Sequence, residues 1–184
     1  MSTPSLDTAC EVLRAGGVIA YPTEAVWGLG CDPNNAAAIE RLLLLKRRPR
    51  EKGLILVAAN QEQIAPLLAP LSTSQRAQLD ATWPGPITWL IPDTNQLFSS
   101  WVRGDHASVA IRVSAHPVVQ RLCLAYGGPV VSTSANTAGE PEIRDRSELE
   151  AVFGDTIDGV VSGSLGNAAG VSEIRDLLTG AVLR

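Results

Sequence analysis

Apolar and polar positions along the chain fall into short runs that switch between a helical period and strict alternation. Leu6, Ala9 or Cys10, and Leu13 make a helical stripe. Thr3-Pro4 precedes it as a cap followed by a first-turn proline, and Gly16-Gly17 ends it. Residues 18–21 form a short apolar strand stopped by Pro22. Asp32-Pro33 repeats the cap-plus-proline signature and predicts a second helix running to about Arg47, ahead of Pro49. Residues 54–58 are a continuous apolar run, expected as a strand buried on both faces. Two helical stretches, 61–69 and 73–81, flank Pro70, and 87–91 and Ser108–Val113 read as strands joined by a long connection. Pro117–Tyr126 reads as a helix closed by Gly127-Gly128, and Val130-Val131 opens another strand. Ser147-Glu148-Leu149-Glu150 reads as a capping box, strands follow near 159–162 and 172–177, and Thr179-Gly180 offers a hairpin turn. The alternation of helices and strands predicts an α/β fold with a mixed sheet, as one domain over 1–184.

Composition narrows the class. The 184 residues are 45% hydrophobic, enough for a sizeable core, with 16 glycines and 12 prolines, too few for a collagen-like or disordered chain. No apolar run is long enough to cross a membrane, and the first residues carry neither a basic flank nor an apolar segment, so a cytoplasmic protein without a membrane partner is expected. Cys10, Cys31 and Cys123 are scattered, which indicates neither a disulfide framework nor a metal site. His106 and His116 are the only histidines, and without a G-x-S-x-G elbow a Ser-His-Asp triad has little support. His116, ahead of Pro117, is expected in a capping or surface role. A net charge of -4 argues against a surface that coats nucleic acid.

Three polar clusters stand out. Five of the 15 basic residues lie within positions 46–52, which leaves the rest of the chain at -8. A solvated helix end explains Arg47 and Arg50. Lys46 instead continues the apolar stripe of Ala36, Ile39 and Leu43, so its ammonium points into a cleft that Arg48 also reaches, a pairing suited to polyphosphate. In the second cluster, strand parity puts Ser132, Ser134 and Asn136 on one face, and separates Ser108, Ala110 and Arg112 from Val109, Ile111 and Val113. A polar turn and an exposed sheet-edge arginine are the competing explanations. The third cluster, positions 22–30, reads as a loop too apolar to be merely solvated. Its Gly28-Leu29-Gly30 lacks the third glycine of a dinucleotide fingerprint, and no P-loop is present.

AYPTEAVWGLGCDP, LKRRPREKGLI, WPGPITW, SVAIRV, VVSTSANTAGEP and VSEIRD occur in this order over nearly the whole chain. Together they resemble the YrdC family of threonylcarbamoyl-AMP synthases, with the family's K-x-R and S-x-N pairs as Lys46/Arg48 and Ser134/Asn136. The resemblance implies a twisted mixed sheet with flanking helices around a deep basic cavity. It implies formation of L-threonylcarbamoyladenylate and pyrophosphate from L-threonine, bicarbonate and ATP with Mg²⁺, the first step of N6-threonylcarbamoyladenosine synthesis at tRNA position 37. By position, Thr23, Arg112 and Ser172 resemble contacts for threonine. Lys46, Arg48, Ser108, Ser134 and Asn136 resemble groups around the adenylate and phosphates. Ser132 and Thr133 fall in the same motif, Lys52 matches a polar cavity position, and Arg184 a terminal basic residue near nucleotide. Ala25 and Trp27 depart from the more usual Thr and Tyr or Phe. No protein-held metal is implied. The resemblance also implies a downstream threonylcarbamoyl-transferase complex as partner and leaves direct contact with tRNA open. An RNA-binding module without synthesis, or an enzyme acting on another carbamoyl adenylate, are the alternatives. The roles of Glu24, Arg144 and Arg175 stay open, with surface ion pairs the default.

Overall fold

A computed structural model describes residues 5–184. Eight strands form a single mixed sheet: β1 (Ile19–Pro22), β2 (Trp27–Gly30), β3 (Ile55–Ala58), β4 (Ile87–Pro92), β5 (Ser108–Val113), β6 (Val130–Ser134), β7 (Gly159–Val160) and β8 (Glu173–Asp176). Their order is β7-β1-β2-β6-β3-β5-β4-β8. The helices are α1 (Leu6–Arg14), α2 (Ala36–Lys46), α3 (Ala65–Leu68), α4 (Thr73–Asp80), α5 (Ser100–Arg103), α6 (Pro117–Tyr126) and α7 (Arg146–Phe153).

Pleating sorts each strand between two apolar clusters. Ala20, Leu29, Leu56, Ile111 and Val131 pack with α2 and its Ile39 and Leu42. Ile19, Tyr21, Val57 and Val130 face the other way, against Leu13 of α1 and Val119 and Leu122 of α6. On this second side the helices cover only part of the sheet. Beyond them the same face carries Gly28, Ile55, Leu90, Ser108, Ala110, Arg112 and Ser132, all at the wall of a cavity. Several of these side chains are small, and their shortness keeps the space open.

Several boundaries differ from expectation. The 22–30 segment is not a loop: Trp27–Gly30 is a strand that pairs antiparallel with β1 and with β6. A side chain at Gly30 would meet the Val131 carbonyl oxygen at 2.4 Å and the Tyr21 ring at 2.7 Å, so glycine admits the close approach of neighbouring strands. Thr3-Pro4 lies outside the described residues, and α1 is capped by Ser5, whose Oγ accepts from the Thr8 N–H. The cap of α2 is Asn35 rather than Asp32, which instead closes a turn by accepting from Asn34 N–H. Asp145, not Ser147, caps α7 by accepting from two backbone N–H groups. The long connection after β4 contains α5. The Thr179-Gly180 turn does form, and residues beyond it fold back onto β8, with Leu183 N–H bonding Ile174 O and Ile174 N–H bonding Arg184 O. That return shields an edge strand that would otherwise expose unpaired backbone.

Candidate functional site

The cavity measures about 310 Å³, within the range that holds small ligands. Its floor is the uncovered sheet face, and its walls come from the β1–β2 turn, residues 48–55, the end of β6, and residues 170–174 with Leu183 and Arg184. Thr23, Arg48, Lys52, Ser108, Arg112, Ser132, Thr133, Ser134, Ser172 and Arg184 all line it. Lys46 and Asn136 do not.

Lys46 sits behind the wall. It is the last residue of α2, only 4% exposed, and its Nζ donates to Ser134 O at 2.5 Å, Asn136 O at 2.7 Å and Asn136 Oδ1 at 3.1 Å. All three ammonium protons are thereby used within the protein. Burial, and then the nearby Arg48 charge, pull its pKa from 10.5 down to about 8. Ser134 Oγ also donates to Asn136 Oδ1 at 2.7 Å, and Asn136 Nδ2 donates to Glu140 O. The K-x-R lysine and the S-x-N pair, far apart in sequence, thus form one closed polar clamp at the end of β6.

Arg48 turns elsewhere because Arg47 adopts the left-handed conformation, φ 50° and ψ 39°, just past the helix. Arg48 N–H returns to Leu43 O and Arg47 N–H to Leu44 O, the bonding of a Schellman ending without its usual glycine. The chain reverses and the Arg48 side chain enters the cavity, where Nε and Nη2 donate to Gly53 O. Arg184 is held in a similar manner on Ser172 O. Burial lowers the pKa of both arginines; Arg184 adds to the effect on Arg48, and Arg112 to that on Arg184.

Arg112 lies on β5, between β3 and β4, and is 7% exposed, so the sheet-edge explanation fails. Ser108, Ala110 and Arg112 face the cavity while Val109, Ile111 and Val113 are buried in the core, as the alternation predicts. Its partner is Glu24, whose Oε2 is 3.1 Å from Nη1. This largely buried pair replaces the default of a surface contact, and sequence reading missed it because an isolated Glu in a turn carries no spacing signal. Arg144 donates to Ala169 O, and Arg175 pairs with Glu173.

Smaller groups complete the wall. Thr23 Oγ1 donates to Val26 O at 2.7 Å, which leaves its lone pairs available to a ligand. Thr88 Oγ1 donates to Ser172 Oγ at 2.8 Å, which leaves the serine proton for a ligand. Arg103 and His106 also line the cavity, although the sequence placed neither at the site. His116 is buried and caps α6 without a side-chain capping bond; its Nε2 lies 3.1 Å from Ser164 O. Among the described residues no cluster of three or more His, Cys, Asp or Glu gathers, and the three cysteines are buried and free.

Residues 11–184 match the family model Sua5_yciO_yrdC, described as telomere recombination. A threonylcarbamoyl-AMP synthase of Cellvibrio japonicus is 54% identical over 181 residues, covering 98% of this chain and 95% of that protein. Another from Pseudomonas paraeruginosa is 56% identical over 176 residues, covering 96% and 94%. Among solved structures, P. abyssi Sua5 complexed with L-threonine superposes with a TM-score of 0.89 at 27% identity, over 97% of this chain. The chain spans about half of that longer protein, 53%. E. coli YciO gives 0.84 at 26% identity, covering 97% of this chain and 87% of that one. A match over nearly the whole chain, joined to the same sheet, places this protein in the Sua5/YciO/YrdC family.

Proposed function

We infer that the protein is a threonylcarbamoyl-AMP synthase. The observation that carries this is identity above 50% to curated synthases over nearly the full chain, with the K-x-R and S-x-N pairs assembled beside one cavity. The threonine amine and bicarbonate give a carbamate with loss of water. A carbamate oxygen then attacks the α-phosphorus of ATP, a new P–O bond forms, and the bond to pyrophosphate breaks. Such a reaction needs alignment and charge neutralisation more than a protein nucleophile.

The wall supplies groups for both tasks. Arg48, Lys52 and Arg184 face the polyphosphate, whose Mg²⁺ arrives with ATP as part of the substrate. Ser108, Ser132, Thr133 and Ser134 offer hydroxyls or backbone to the adenylate. Arg112, Thr23 and Ser172 take threonine, with Arg112 for its carboxylate, Thr23 as acceptor and Ser172 as donor. Lys46 and Asn136 act by fixing the end of β6 rather than by touching substrate. On this reading the chain works as a single cytoplasmic domain, and its product passes to a transferase that modifies tRNA.

Incubation with ATP, Mg²⁺, L-threonine and ¹³C-bicarbonate tests the chemistry. Mass spectrometry should find threonylcarbamoyladenylate carrying one label. Unlabelled product, or none from a folded protein, contradicts the reading.

A further inference from the structure

Among the described residues, Arg112 is held from one side. Its Nη1 lies 3.1 Å from Glu24 Oε2 in an ion pair, and both that Oε2 and the Arg112 Nε are buried without a hydrogen-bond partner among the described residues. A guanidinium has five N–H donors, so the single ion pair leaves others without a partner in a residue that lines the cavity. Glu24 is itself fixed. Its Oε1 accepts a hydrogen bond of 2.6 Å from Ser114 Oγ, and Ser114 is fully buried just beyond the end of β5.

Direction along this chain of bonds is determined. His116 N–H donates to Ser114 Oγ at 3.1 Å, so that oxygen is an acceptor there and its single proton goes to Glu24. Ser114 is anchored by its own N–H to Ala58 O and by its carbonyl to Gln120 Nε2. The line therefore runs from the start of α6 through Ser114 and Glu24 to the guanidinium. The Glu24 backbone is tied as well, because Ala168 N–H bonds Glu24 O and Gly166 N–H bonds Thr23 O.

We propose that Glu24, braced by Ser114, is the positioning residue that holds Arg112 at the cavity wall so that its remaining N–H groups receive the carboxylate of the amino-acid substrate. The inference rests on the synthase reading for the identity of that amino acid. Glu24 also neutralises Arg112 in the empty site, so the arginine tolerates burial until a second carboxylate arrives. Because the nucleotide groups are spread over other walls, losing this brace weakens threonine binding selectively.

The test compares wild type, Glu24→Gln, Ser114→Ala and the double variant by steady-state pyrophosphate release, with calorimetric titration of L-threonine alongside. Glu24→Gln should raise KM for threonine about tenfold, the effect of about 1.4 kcal/mol, with KM for ATP within about twofold. Ser114→Ala should raise it about threefold, and the double variant should match Glu24→Gln, since Ser114 acts through Glu24. Unchanged threonine KM, equal rises for threonine and ATP, or multiplying effects in the double variant would overturn the proposal. If Glu24→Gln does not fold, Ser114→Ala decides alone by the same threonine-against-ATP split. A wild type that binds threonine but releases no pyrophosphate sinks the synthase reading, and the loss of threonine binding in the variants then judges the brace. A wild type that does not bind threonine overturns both.

Discussion

Lys46 and Arg48 are two residues apart and both cationic, yet they end in opposite situations. Lys46 is enclosed behind the cavity with all its protons on Ser134 and Asn136, whereas Arg48 enters the cavity with Gly53 O as its hydrogen-bond partner among the described residues. The left-handed Arg47 between them makes the divergence. The lesson is that a motif of paired cations need not place two charges in a cavity: one builds the wall and the other lines the space.

The largest effect that separates the two is Arg48→Ala. Pyrophosphate release should fall at least about 100-fold, the scale of losing one charge-stabilising donor, while Tm stays within about 2 °C. Thermal melts and initial rates check both halves. Lys46→Ala should lose activity and stability together, because it removes three charge-assisted hydrogen bonds that hold the end of β6. A cost of about 2 kcal/mol lowers Tm by about 4–8 °C in a domain of this size. If Lys46→Ala melts like wild type, the clamp is not structural and the contrast breaks.

Titration sharpens the contrast next. Lys46 ionises near pH 8 in the folded protein against 10.5 ordinarily. Above pH 8 the neutral amine has two N–H groups for three acceptors, and the positive charge beside Arg48 is gone. The profile of kcat/KM should therefore descend with an apparent pKa near 8, a limb that Lys46→Arg removes. Stability has the opposite sign: between pH 8 and 10.5 the unfolded chain binds more protons, so this group's contribution to stability increases as pH rises. The smallest effect belongs to the hinge. Arg47→Gly relieves a left-handed conformation costing about 1 kcal/mol, so Tm should rise by a few degrees with pyrophosphate release unchanged.

How much of this was legible depends on whether a local pattern carried it. Ser108–Val113 and Pro117–Tyr126 match their sequence boundaries because one alternates cleanly and the other lies between a proline and a glycine. The helical stripe placed Lys46 inward, but periodicity cannot say whether an inward ammonium reaches a cavity or a carbonyl. Trp27–Gly30 was unreadable as a strand because all four positions are buried and two are glycines, which erases alternation. Asp32-Pro33 lost the cap to Asn35, since a turn used the aspartate first. Glu24 became visible only when the sheet brought Arg112 and Ser114 beside it, a relation over about 90 residues that no spacing reports.

The most direct measurement is pyrophosphate release from ATP and Mg²⁺ by the wild-type protein without tRNA, with L-threonine and bicarbonate supplied together, singly and not at all. Release only when both are present is the predicted result. Equal release without threonine, or none from a protein that melts cooperatively, would contradict the account.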